Sequence, residues 1–198
     1  LLGDVRARSQ GRLDYIRQSG FGGFVWDIGT MSAFRTASAV EAEGLAILIP
    51  FAASLGVQLV PTNQHGYLQK VYGDFIARWK TGKCKFVEVK VEREHTGNLF
   101  IESWSNRSHG THGWLDTCRA NWFWYYFLES DSLYCFELPR LREWLFDGRI
   151  ERYRFVRQGK YDQINDTWGY LVPVADLELQ PWFHGLKKPK EDTTIFQV

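Results

Sequence analysis

At 198 residues with 44% hydrophobic side chains, the chain can bury one sizeable core and is short for two, which excludes a disordered tail and makes a single domain over residues 1–198 the expectation. A formal net charge of +1 excludes a strongly basic coat for nucleic acid, so any polyanion site must be local. Aromatics make up 16%, with nine Trp, and serve either a heavy core or exposed stacking surfaces.

In chain order, residues 1–37 read as an N-terminal arm. It holds a short helical stretch, RLDYIRQS, and then SGFGGFVWDIGT, which lacks a phosphate-loop lysine and dinucleotide spacing and so reads as a turn. A helix is expected from Thr36 or Ser38 to Leu55, stopped by Gly56 and bent at Pro50. Leu45, Leu48, Ala52 and Leu55 form its apolar stripe, and one turn back that stripe reaches Glu41, whereas Glu43 falls on the far side. After the apolar piece VQLVP and the turn-like TNQHG come three strands, at about 70–79, 84–92 and 98–104, joined by KTGK and REHTGN into an antiparallel meander. GWLDTCRANWFWYYFLES reads as an aromatic-rich helix, SLYCFEL as a strand, and PRLREWLF as a short helix begun by Pro139. The remainder, a C-terminal extension over 138–198, offers two strands around a polar loop and ends in GLKKPKED, a solvated mobile arm. The fold class is therefore α/β, with a single central mixed sheet containing an antiparallel meander and flanked by helices.

Three widely spaced cysteines, Cys84, Cys118 and Cys135, fit buried thiols of a reducing compartment better than a disulfide framework, so a cytoplasmic setting is expected. The longest apolar run, GLAILIPFAASLG, is too short to span a bilayer and contains a proline.

Chemistry concentrates in YGDFIARWKTGKCKFVEVKVE, residues 72–92. Along a strand alternate residues share a face, so Glu88 and Lys90 point to one side and Val87, Val89 and Val91 to the other. Pairing through the KTGK turn brings Asp74 near Glu88 and Lys90. Two carboxylates with the main-chain carbonyl of Val89 form the hard oxygen set that Mg²⁺ prefers, Mn²⁺ being able to substitute. A lysine beside them can orient or deprotonate an attacking water, and the arrangement suits phosphodiester cleavage.

Asp74, a short hairpin and then VEVK resemble the core signature of the PD-(D/E)XK nuclease superfamily, which includes restriction endonucleases and Holliday-junction resolvases. The resemblance covers about 38–137, with Glu41 at the acidic position of the helix before the meander, TGNLFIES as the third strand and DTCRANWFWYYF as the following helix. Gly73, not proline, precedes Asp74. The resemblance implies a restriction-endonuclease-like fold and a Mg²⁺-dependent nuclease, most simply acting on DNA. Asp74 and Glu88 would be the metal ligands, Lys90 the water-assisting group and Glu41 an auxiliary acid. Size and the lack of a second recognition domain resemble phage or mobile-element nucleases and resolvases, which would place a phage-encoded protein in the host cytoplasm. Type II restriction is not excluded, and a homodimer would suit concerted cutting of two strands. The alternatives are a non-catalytic nucleic-acid-binding module of the same fold and a protein-interaction domain. A charged strand face, continued by Glu92, Arg93 and Glu94, is the reading without chemistry.

Secondary candidates are Glu102 as a supporting acid, and Gln69 and Lys70 as phosphate contacts. His109, His112 and Cys118 offer zinc ligands without a partner pair at a usual spacing; a loop in which Asn106, Arg107 and Ser108 join the histidines facing a nucleic-acid backbone is a better reading, and plain loop polarity a better one still. In ERYRFVRQGKYDQ, Arg152, Arg154, Arg157 and Lys160 alternate with aromatics and suit either nucleic-acid contacts or the cations of an edge strand.

Overall fold

A computed structural model describes residues 28–158, 166–187 and 189. Two compact units divide the chain, Leu1–Ala33 and Phe34–Val198, and every described strand lies in the second. RLDYIRQS, most of the glycine-rich stretch and Lys160 lie outside the described residues.

The protein is α/β with two sheets. Helix α1 (Ile28–Ser54) leads into β1 (Val57–Pro61), α2 (Gly66–Tyr72), β2 (Phe75–Trp79) and β3 (Cys84–Glu92). Then follow β4 (Asn98–Asn106), β5 (Thr111–His112), α3 (Trp114–Thr117), β6 (Trp122–Phe127), β7 (Ser132–Glu137) and α4 (Leu138–Phe146). The chain closes on β8 (Arg154–Arg157), β9 (Trp168–Pro173), α5 (Val174–Leu177) and β10 (Phe183–Lys187). A mixed sheet of six strands has the order β1-β2-β3-β6-β7-β10, and an antiparallel sheet of four has the order β5-β4-β9-β8.

Several expectations are corrected. The single sheet is two, because β4 leaves β3 and founds the second sheet, while β6 takes the free edge of β3 in parallel register, Glu88 opposite Phe123 and Lys90 opposite Tyr125. The meander exists one strand earlier, as β1-β2-β3. The aromatic helix is a four-residue turn, α3, followed by β6. Its residues alternate between two cores: Phe123, Tyr125 and Phe127 face the second sheet, and Trp124 and Tyr126 face the α1 side. A strand buried on both faces reads as an unbroken apolar run, and periodicity then cannot tell it from a buried helix.

Residues expected to begin the strand at 70 are instead the end of α2, since Gly73 closes that helix and only Phe75 onward pairs. Helix α1 starts at Ile28, so residues 28–30 are helical rather than part of a turn. Pro50 lies inside it, and Leu48 and Ala52 of its stripe are buried, but Leu55 is 56% exposed past the helix end. At the other end of the chain, 185–187 are not a solvated arm; they belong to β10, which pairs with β7. No helix among the described residues is long and apolar enough to cross a membrane.

The six-stranded sheet lies between α1 and the second sheet. Leu48, Phe51 and Ala52 pack on Val87 and Val89, whereas Leu99, Ile101 and Val172 of the second sheet cover Phe123, Tyr125 and Phe127. Each large apolar side chain so buried contributes about 1.5–3 kcal/mol relative to exposure. Gly44 lets α1 approach β3 closely, because a Cβ there would sit 2.5 Å from a Val91 methyl.

Candidate active site

Strand β3 sorts its residues as alternation requires. Val87 and Val89 enter the core on the α1 side, so Glu88 and Lys90 point to the opposite face with Phe86. Antiparallel register pairs Phe75 with Val87, and one step further along it Asp74 lies across from Glu88. Residues directly opposite share a face, which puts the two carboxylates side by side.

The backbone at Asp74 is closely fixed. Gly73 has φ +104°, and a Cβ there would stand 2.7 Å from the Val87 carbonyl oxygen. Proline, locked near −65°, could not occupy this position, which explains the departure from a Pro-Asp pair. Thr62, 1% exposed, donates its hydroxyl to the Gly73 carbonyl at 2.5 Å and its N–H to the Asp74 carbonyl at 2.9 Å. The Asp74 carboxylate accepts the Val89 N–H at 3.1 Å and the Gln69 amide at 3.4 Å. Gln69 is thus turned toward the site, and it orients a carboxylate. Gly73→Ala is expected to cost about 1–3 kcal/mol from strain alone, measured by denaturant unfolding, and to displace Asp74.

Electrostatics tie the cluster together. Burial, then the neighbouring Asp74, pushes the Glu88 carboxyl up to about 8, against the opposing pull of the Cys118 thiol and Lys90. Asp74 is raised by burial despite the Val89 N–H and Gln69. Burial raises Glu41 too, with Asp74 adding to the shift and Lys90 opposing it, so the helix acid stands within the field of the strand residues. Glu102, on β4, is raised by burial and held back by Lys90 and by the Trp114 N–H. Lys90 therefore acts on Glu41, Glu88 and Glu102 at once; its ammonium also lies 4.0 Å from Glu92. Five expected residues, Glu41, Asp74, Glu88, Lys90 and Glu102, are brought into one neighbourhood from two sheets and a helix.

These shifts fix a pH dependence. A carboxyl whose pKa is higher folded than unfolded binds more protons in the folded state between the two values, so stability falls as pH rises through that window. For Glu88 the window runs from 4.5 to about 8. In EDTA the melting temperature should drop between about pH 5 and pH 8, and Glu88→Gln should flatten that slope, as thermal unfolding across pH would show.

Cys118 was not separable from the histidines by sequence. Its thiol donates to Glu88 Oε2 at 3.8 Å and accepts the Ala120 N–H at 3.5 Å, and burial beside Glu88 pushes it up to about 12. Arg142 clamps this turn by donating to the carbonyls of Leu115, Trp114 and Cys118. His112 pairs with Asp116 at 3.0 Å and stacks on Trp104, while Cys118 faces Glu88. Among the described residues no group of three or more His, Cys, Asp or Glu could hold a metal by side chains alone. Any ion here would rest on Asp74, Glu88 and a main-chain oxygen such as that of Val89.

Arg154 is exposed on β8, an edge strand, whereas Arg157 is occupied by Asp166 at 3.0 Å. No family model, curated protein or solved structure matches this chain.

Proposed function

We propose that the protein is a metal-dependent nuclease hydrolysing phosphodiester bonds, most simply of DNA, with the restriction-endonuclease-like arrangement that the PD-(D/E)XK resemblance implies. The observation that carries this reading is the side-by-side placement of Asp74 and Glu88, two part-buried carboxylates both raised by burial, Glu88 further by the Asp74 charge, with Lys90 on the same face. The donor set fits Mg²⁺ or Mn²⁺, because its side-chain ligands are hard oxygens and leave positions for water and phosphate.

Asp74 and Glu88 would hold the ion with the Val89 carbonyl. When bound, Mg²⁺ supplies Lewis-acid stabilisation of phosphate charge and lowers the pKa of water. Lys90 projects from the same strand face and is the group to orient the attacking water and offset charge gathering on phosphorus. Glu41 is an auxiliary acid at the rim, and Gln69 and Thr62 keep Asp74 in place. Single-turnover cleavage of labelled single-stranded, duplex and branched DNA and of RNA, with Mg²⁺ and with EDTA, tests this. Cleavage that requires Mg²⁺ is expected. Binding without cleavage in any metal would leave the non-catalytic module.

A further inference from the structure

We propose that one face of the second sheet is a shelf for unpaired nucleotides. Register places Ile101, Tyr170 and Phe155 in one row and Trp104, Trp168 and Arg157 in another, all on one sheet face. Leu99, Ile101 and Val172 cover the core end of that face, and the aromatic end continues beyond them.

On that end the exposed Arg107 lays its guanidinium over Trp168 at 4.9 Å and Phe155 at 5.6 Å. A guanidinium seated over rings can offer its outer face to a base and its N–H fork to a phosphate, a double contact that lysine cannot make. Among the described residues no carboxylate pairs with Arg107. Asp166 instead ties the shelf's residues together: its carboxylate accepts the Trp168 indole N–H at 2.8 Å and the Ser108 N–H at 3.1 Å, and pairs with Arg157 at 3.0 Å. A second platform is His112, stacked on Trp104 at 4.2 Å with its side chain 50% exposed.

Charge selects the kind of strand. A net charge of +1 argues against a broad basic coating of a duplex, whereas stacked rings and one stacked arginine favour bases that are free of pairing.

Fluorescence anisotropy in EDTA, using a labelled single strand and the same sequence as blunt duplex, tests the shelf. The single strand should bind at least about 10-fold tighter, with a shallow salt dependence, and Arg107→Ala should lower its affinity about 10-fold or more without affecting the duplex. Arg107→Lys should recover little of that loss, since it returns the charge without the plane. Equal binding of strand and duplex, an unchanged Arg107→Ala, or full recovery by lysine would each overturn the proposal. Failure of the nuclease reading has a different signature: the wild type would keep the Arg107-dependent preference for single strands and cut nothing in Mg²⁺.

Discussion

Alanine at Asp74 or at Glu88 is expected to remove Mg²⁺ binding and strand cleavage together, with cleavage falling by about 10³-fold or more, because several kcal/mol of transition-state stabilisation depend on the bound ion. Neither loss should come from misfolding at position 88. The Glu88 carboxyl, pushed up to about 8 by burial and Asp74, is a cost to the folded state at alkaline pH, so Glu88→Ala should melt no lower than the wild type at about pH 8 in EDTA. Asp74 differs, since its carboxylate satisfies the Val89 N–H and the Gln69 amide. Asp74→Asn retains an acceptor there and separates the metal effect from the structural one. Calorimetric Mg²⁺ titration beside single-turnover cleavage and thermal unfolding reads all three quantities.

Lys90→Ala should divide what the carboxylate variants lose together. The lysine repels the ion, so its removal leaves Mg²⁺ affinity unchanged or tighter where the carboxyls are ionised, while cleavage drops about 10²-fold or more for want of the group that orients water. The comparison belongs at about pH 9. Below that, Lys90 also helps keep Glu41, Glu88 and Glu102 deprotonated, and its loss would let protons compete with the metal. A variant that cleaves normally would return Lys90 to its ion pair with Glu92.

The residues of the site were legible because their signal is local. Alternation in one strand and a four-residue turn suffice to place Glu88, Lys90 and Asp74 on a common face, and one helical stripe reaches Glu41. What surrounds the site was not legible, for reasons of long-range pairing. Nothing in TGNLFIES says that β4 pairs with β9 across seventy residues of chain rather than with β3, and the run WFWYYF has no polar face by which to declare itself a strand. Gly73 was visible only as a departure from a pattern; its positive φ and its closeness to Val87 supply the reason. Thr62, Cys118 and Asp166 act through side chains that meet the site or the shelf from distant segments, and no spacing in sequence points to them. The pairing of Arg157 with Asp166 was not legible either, because Asp166 lies beyond a loop.

Anomalous diffraction from crystals soaked in Mn²⁺ tests the central claim most directly, that this strand pair holds a divalent cation. A peak is expected within about 2.3 Å of carboxylate oxygens of both Asp74 and Glu88 and of the Val89 carbonyl, absent from Glu88→Ala crystals treated in the same way. No peak at that position in the wild type, with both carboxylates ordered and the soak above about pH 8, would contradict it.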